Sequence, residues 1–281
     1  MSDAGPVDAG VDDAADAALS LGVALEAGAL LLEVRASFGD LDPADRERAR
    51  SLRDTGDREA HELIAARLGA ARPDDTVLSE EGVDDPVRLT ASRVWIVDPL
   101  DGTWEYGQGR VDFAVHIALW TRAEHGGVLS AGTVDLPAQG ATYSVLDDRP
   151  ADGGAPLDRP VRIVVSRSRR PARLDDTVAR LATRLADTGV TGHGVEVDDV
   201  GSVGAKAAQL FAGRAEIYLH DSGFSDWDLA APLAVAVHRG LWTSAPDGER
   251  FAFNRMPPLQ PGVVMATPAV APAVRDVLHL P

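Results

Sequence analysis

The stretch Val94-Trp95-Ile96-Val97-Asp98-Pro99-Leu100-Asp101-Gly102-Thr103 constrains this chain more than any other. Its first four residues are too apolar for an exposed sheet edge and predict a strand covered on both faces. The chain order, helix first and then mixed helix and strand, points to an α/β fold. Asp98 falls at the carboxyl end of the strand, where open α/β sheets commonly present ligand groups. Pro99 has no N–H for the ladder and fixes the backbone so that the Leu100 carbonyl can turn outward, with Asp101 projecting back toward Asp98. Two carboxylates and a carbonyl converging in this way suit Mg²⁺, which takes oxygen ligands, better than zinc, which recruits histidine or cysteine. Gly102 permits close backbone approach, and Thr103 opens a turn whose free N–H groups could hold a phosphate oxygen. Taken alone, D-P-x-D reads equally well as an Asp-Pro turn whose second Asp caps a short helix.

With 281 residues and 45% hydrophobic content, the chain can bury a sizeable core as one large domain or two closely packed halves. It has no cysteine, so disulfides and thiolate metal sites are excluded. Its start, MSDAGPVDAGVDDAADAA, is acidic where a signal peptide would be basic, and Glu26 and Glu33 interrupt the one long apolar stretch near it. A soluble cytoplasmic protein with no membrane association is expected. The formal charge of -17 disfavours a nucleic-acid polymer as partner. An anionic small molecule would need metal ions or a local arginine cluster to offset that field.

Residues 1–13, rich in Asp, Ala and Gly, are expected to be disordered. Helical spacing runs from Ala14 to Ser37, and a second helix is expected from Asp57 to Leu68. Strands are expected at Thr76–Ser79, Val94–Asp98, Phe113–Trp120 and Gly140–Leu146. A Gly-, Pro- and Asp-rich segment, Asp147–Pro160, divides the chain into an N-terminal half, 14–155, carrying the acid motif, and a C-terminal half, 156–281. In the second half the pattern predicts strands at Val161–Ser166 and Glu216–His220, with helices around 175–187, 203–212 and 229–238. The cleft between two such halves is the expected active site.

The full string Asp98-Pro99-Leu100-Asp101-Gly102-Thr103 resembles the D-P-[ILV]-D-G-T hallmark of the inositol monophosphatase superfamily. Two further family motifs follow in the family's order: an acid pair after an apolar strand, Glu80 and Glu81, and W-D-x-A, here Trp227-Asp228-Leu229-Ala230. Each of these is weak alone, since Glu80 and Glu81 could be a solvated loop and Asp228 an ordinary helix cap. The Gly201-Ser202 block also matches, so the similarity covers roughly 57–254. The resemblance implies a layered αβαβα sandwich and a phosphatase using two or three Mg²⁺ ions. It implies Glu80, Asp98, the Leu100 carbonyl, Asp101 and Asp228 as metal ligands. Amides near Gly102 and Thr103 would hold the transferred group, and Thr103 would help deprotonate water with support from an upstream acid, with Glu80 as a second candidate base. Family members are often dimers and typically lithium-sensitive, so a homodimer is an implied assembly, although no interface is visible in the sequence.

One departure concerns the upstream acid. Where the family carries D-x-V-T-x-x-D, this chain reads Ser51-Leu52-Arg53-Asp54-Thr55-Gly56-Asp57, which leaves Asp54 as the expected partner of Thr103 through a rearranged loop. For substrate, Glu105 and Tyr106 after D-G-T, with Val164-Val165-Ser166-Arg167-Ser168, resemble the bisphosphate nucleotidases, which remove the 3′-phosphate of 3′-phosphoadenosine 5′-phosphate. The related 5′-phosphosulfate of sulfur assimilation is a second substrate of that class. His220 stands where inositol phosphatases offer a glutamate to sugar hydroxyls. Against the nucleotidase pattern, Arg169 replaces a histidine and Trp104 a basic residue, so inositol monophosphate or another sugar phosphate remains the alternative, and a catalytically inactive metal-binding relative the third. Of 27 basic residues only Lys206 is a lysine; its compact ammonium suggests a place near the substrate, against chance survival. Arg167, Arg169 and Arg170 form a basic island, read either as the site of a second phosphate or as a surface charge run.

Overall fold

The computed structural model describes residues 11–42, 44–124, 126–148 and 157–281. Residues 1–10 of the expected disordered start and most of the expected boundary segment lie outside the described residues, whereas Val11 is already helical. The first part of the chain forms α1 (Val11–Ser37), α2 (Arg46–Ala71), β1 (Thr76–Ser79), β2 (Arg93–Asp101), α3 (Thr103–Gly107), β3 (Ala114–Ala123), β4 (Gly126–Leu136) and β5 (Ala141–Ser144). The second part forms β6 (Val161–Ser166), α4 (Leu174–Asp187), β7 (Val195–Val200), α5 (Val203–Phe211), β8 (Ile217–His220), β9 (Phe224–Ser225) and α6 (Asp226–His238). It closes with β10 (Trp242–Ser244), β11 (Leu259–Gln260), β12 (Val263–Ala266) and α7 (Ala271–Leu278).

Two five-stranded sheets result, one ordered β1-β2-β3-β4-β5 and the other β10-β12-β8-β6-β7. Alternation along β2 sends Trp95 and Val97 to one face and Val94 and Ile96 to the other. Trp95 and Val97 pack with Leu31 of α1 and with Leu52, Ile64 and Leu68 of α2. Val94 and Ile96 share a core with Val203 and Ala207 of α5, Leu229 and Val235 of α6, and Val164, Tyr218 and Met265 of the second sheet. The far face of that sheet buries Val161 and Ile163 against Leu181 of α4 and Val274 of α7. Helix, sheet, helix, sheet, helix is therefore the layer order, the αβαβα sandwich expected. Helices α5 and α6, both from the second part of the chain, form the shared middle layer, and we propose 14–155 and 156–281 as the two halves.

The sequence does not foresee β7, β10, β12 or α7, and three further elements differ from expectation for identifiable reasons. Helix α2 begins at Arg46 rather than Asp57, capped by Asp45, whose side chain accepts from Arg48 N. Its first three turns, RERARSLRDTG, carry too few apolar residues to register as periodic, yet Ala49, Leu52 and Gly56 continue the buried face of Ala60, Ile64 and Leu68. Strand β4 escaped notice because its sequence, GGVLSAGTVDL, is glycine-rich. Strand β2 runs past Pro99 to Asp101 instead of stopping at Asp98, through a break in register between the pairs Asp98↔His116 and Asp101↔Ala114. Helix α1 is long and apolar enough to cross a membrane by length and composition, but here Ala24, Ala27 and Leu31 are fully buried in the core beneath the first sheet.

Gly132 on β4 is where α6 comes closest to the first sheet: a Cβ there would stand 2.5 Å from Ala234 Cβ. Gly132→Ala should push α6 outward and cost about 1–3 kcal/mol. The urea midpoint should fall with the slope unchanged, and an unshifted midpoint would show that the layers tolerate the extra methyl.

Candidate active site

The register break in β2 is what creates the acid pair. In an unbroken strand, residues three apart point to opposite faces. The bulge at Pro99 and Leu100 inserts extra backbone and returns Asp101 to the side of Asp98. Leu100 N donates to Asp98 Oδ1 at 3.0 Å, holding that carboxylate over its own turn. Asp228 arrives from α6, where Ser225 N donates to its Oδ2 at 2.7 Å as one half of a capping box. One oxygen each from Asp98, Asp101 and Asp228 lie within 4.8 Å of one another. Glu80, in the turn after β1, stands close enough to this group for its carboxyl to raise the pKa of Asp98.

Asp101 is gripped by the start of α5. Val203 N donates to its Oδ1 at 3.0 Å and Gly204 N to its Oδ2 at 2.6 Å, where the helix presents free amides and the positive end of its dipole. Behind it, His116 is fully buried, with Nε2 3.3 Å from Asp101 Oδ2 and Nδ1 3.4 Å from the Trp227 carbonyl. Burial, against the pull of Asp101, keeps that imidazole below its usual pKa. Gly102 has φ of 88°, and a Cβ there would lie 2.8 Å from Ser202 Cβ and 3.1 Å from the Asp112 carbonyl, so the starts of α3 and α5 meet over it. Ser202 caps α5, its hydroxyl accepting from Ala205 N at 2.9 Å.

Burial and the neighbouring carboxyls raise the proton affinity of Asp98, Glu80 and Asp228. Asp98, almost wholly buried, is pushed well above the usual carboxylate range by burial and then by Glu80, Asp101 and Asp228. Glu80 is pushed up to about 7 by desolvation of its carboxyl and by Asp228, although the residue as a whole is exposed. Asp228 is pushed up to about 6 by burial and Asp101. The donor set is carboxylate and carbonyl oxygen without sulfur, and its accumulated negative charge is unbalanced at close range. Both features fit a hard divalent cation.

On the other side of α5, Lys206 is buried, with Nζ donating to the carbonyls of Gly201 and Ser202 and lying 5.6 Å from the Tyr218 ring centroid. Burial lowers its pKa to about 8, with Asp101 and Glu105 opposing, so it remains a cation at neutral pH. His220 stacks on Phe224 at 4.2 Å and shares a 2.7 Å contact between Nε2 and Ser222 Oγ. Burial and the charges of Lys206 and Arg169 push it down to about 3, so it meets any ligand as a neutral imidazole. Its Nδ1 and the Tyr218 hydroxyl are buried without a protein partner.

Several expected residues are placed otherwise. Asp54 lies on the outer face of α2, exposed and 3.6 Å from Arg50, while the Thr103 hydroxyl donates to the Leu100 carbonyl at 3.1 Å. The expected Asp54–Thr103 pair is therefore corrected: a continuous helix stands where a loop was expected, and it turns Asp54 away. Asp57 instead faces the acid group, pushed up to about 8 by burial and then by Glu81 and Glu80. The basic island also divides. Arg170 pairs with Asp199 at 2.5 Å, and Arg167 is taken up by Glu105 at 3.2 Å and Asp112 at 2.7 Å. Only the charge of Arg169 is felt at Lys206, Tyr218, His220 and Asp228. No structural role for Glu105, Asp112 or Asp57 follows from the sequence; Glu105 and Asp57 stand out only as motif positions, and Asp112 leaves no signal.

The raised carboxyl values mean that the folded cluster, without a cation, holds protons that the unfolded chain has released. Stability from these groups is full below the ordinary carboxylate range and is lost as pH rises through about 6 for Asp228 and about 7 for Glu80. Chelator-treated protein should therefore melt at progressively lower temperature between about pH 5 and about pH 8, with excess Mg²⁺ reducing the fall. A flat profile in chelator would contradict the crowding described.

Comparison with known proteins places this geometry. The family model for the inositol monophosphatase family matches residues 13–277. The chain is 42% identical over 274 residues to the 3′-phosphoadenosine 5′-phosphate phosphatase of Mycobacterium leprae, covering 94% of this chain and 93% of that protein. It is 30% identical over 238 residues to an inositol-1-monophosphatase of Rhizobium meliloti, covering 80% and 82%. Among solved structures, CysQ from Bacteroides thetaiotaomicron, described as a bacterial member of the inositol monophosphatase family, superposes with a TM-score of 0.70 at 27% identity, covering 90% of this chain and 97% of the other. On the match along nearly its whole length, this chain belongs to the inositol monophosphatase family.

Proposed function

We propose that the protein is a Mg²⁺-dependent phosphomonoesterase that hydrolyses 3′-phosphoadenosine 5′-phosphate to AMP and phosphate. The observation that carries the reading is the convergence of Asp98, Asp101 and Asp228 from two remote parts of the chain, with the carboxyl of Glu80 near enough to raise the pKa of Asp98. The 42% identity to a phosphatase of that name in Mycobacterium leprae supports the choice of substrate. These four acids and the Leu100 carbonyl would hold two or three magnesium ions. Magnesium bound there supplies positive charge for a phosphate ester and acidifies a water.

The remaining steps belong to the chain's own groups. Thr103 gives its hydroxyl proton to the Leu100 carbonyl, so its oxygen serves as an acceptor and can orient the O–H of an attacking water. Asp98 and Asp101 are buried, whereas Glu80 is exposed and is the acid that solvent reaches, which suits it to take the water's proton. Lys206 and Arg169 bring cationic charge to the other side of the acids, where a second phosphate would sit. Neutral His220 offers hydrogen bonds to hydroxyls rather than charge. The proposal also takes the reaction as part of sulfur metabolism, as the resemblance to bisphosphate nucleotidases implies. The same proposal takes the protein as cytoplasmic, acting on a small phosphate ester, with a homodimer as its implied assembly.

Phosphate release from a panel of esters, with Mg²⁺ and with added Li⁺, tests the reading. Turnover should be fastest on 3′-phosphoadenosine 5′-phosphate and inhibited by Li⁺; preference for inositol 1-phosphate would move the assignment to the sugar phosphatases, and a silent panel would leave a metal-binding relative. Asp98→Asn should lower kcat by at least about a hundredfold. Arg169→Ala should raise KM for the bisphosphate about tenfold, the scale of one charge-assisted contact, with little change for a monophosphate.

A further inference from the structure

Arg167 follows β6 of the second sheet, yet its guanidinium binds two acids of the first part of the chain. Nη1 donates to Glu105 Oε1 at 3.2 Å and Nη2 to Asp112 Oδ2 at 2.7 Å. Asp112 is held from its other oxygen by Arg110 Nε at 2.8 Å, so two arginines balance two carboxylates. The Arg167 side chain is about one-third exposed and the two acids are largely covered, so these charges are only partly screened. A planar guanidinium presents N–H groups on separate nitrogens in a fixed fork, which lets it bond two separate carboxylates in one geometry.

Gly201 lies against both acids. A Cβ there would stand 2.4 Å from Glu105 Oε1 and 2.7 Å from Asp112 Oδ2, and Gly201 N donates to Asp112 Oδ2 at 3.2 Å. The backbone of Arg167 adds a bond to the same segment, its N–H donating to the Val200 carbonyl at 3.1 Å. Two residues further on, Val203 N and Gly204 N grip Asp101. Gly204 is itself wedged, since a Cβ would stand 2.4 Å from His116 Nε2. Whatever fixes Gly201 therefore fixes the amides that hold Asp101.

We infer that Arg167 is a positioning residue: by neutralising Glu105 and Asp112 against Gly201, it seats the start of α5 on Asp101 and so joins the two sheets across the active site. Without it, two facing carboxylates carry one arginine between them beside a site already rich in negative charge. Their repulsion acts on the peptide they enclose. The sequence alone suggested Arg167 as a ligand of a second phosphate, but both ends of its fork are engaged within the protein.

The inference rests on the phosphatase reading for its kinetic readout, whereas amide exchange tests it independently. In Arg167→Gln, exchange of the amides in residues 201–206 should accelerate about tenfold. The value of kcat/KM should fall by the same factor, about tenfold, for a bisphosphate nucleotide and for a monophosphate ester. Adding Asp112→Asn, which removes the repelling charge but keeps an acceptor for Gly201 N, should recover part of both losses. Unchanged exchange, a loss confined to KM for the bisphosphate, or no recovery in the double variant would overturn the inference. If Arg167→Gln does not fold, Arg167→Lys carries the same test with a smaller, still substrate-independent loss. If no ester turns over, the exchange comparison decides alone.

Discussion

Holding several carboxylates together in a buried place is the constraint on which the rest of this structure depends. Like charges at such range repel strongly in a medium of low polarity. The fold answers mostly with backbone amides. Asp98 accepts from Leu100 N, Asp101 from Val203 N and Gly204 N, and Asp228 from Ser225 N. Each of these donors sits at a bulge or a helix start, where the chain has N–H groups without ladder or helix partners. Fixed dipoles hold the carboxylates in place without neutralising them, so the site keeps its demand for a cation. Glu80 is the exception, held through its own backbone, Glu80 N to the Val97 carbonyl, and left open to solvent.

The layers make that arrangement possible. Helix α6 delivers Asp228 from the shared middle layer, and its close approach to β4 over Gly132 ties the depth of that acid to the packing of the first sheet. Pro232 lies inside α6 four residues after Asp228, so the Asp228 carbonyl has no N–H to accept from in the usual helical way. His116 packs against the start of this helix, between Asp101 and the carbonyl of Trp227. Asp101 is thus joined to the start of α6 by a packed, neutral side chain and to the start of α5 by two amides.

Much of this was legible in the residues. The apolar run before Asp98 announced a covered strand, and its position between β1 and β3 agrees. Asp98, Asp101 and Asp228 could be picked out from motifs, and they converge. What could not be read was contact between distant segments. Asp54 was a substitute for the acid missing at Ser51, and nothing in the spacing foresees that α2 continues through the expected loop, because its early turns, rich in arginine and acid, have little apolar signal. Arg167 looked like a free cation because its partners, Glu105 and Asp112, lie 62 and 55 positions away. Strand β4 was missed because glycine, which lets α6 approach, also erases strand propensity.

The central claim is that these four acids form one divalent-cation site. Anomalous scattering from crystals soaked in Mn²⁺, a stand-in for Mg²⁺ that diffracts strongly enough to locate, tests it most directly. The account predicts peaks among the carboxylates of Glu80, Asp98, Asp101 and Asp228 in the native protein and their loss in Asp98→Asn. Manganese bound elsewhere with this cluster bare, or a peak undiminished by the substitution, would contradict it.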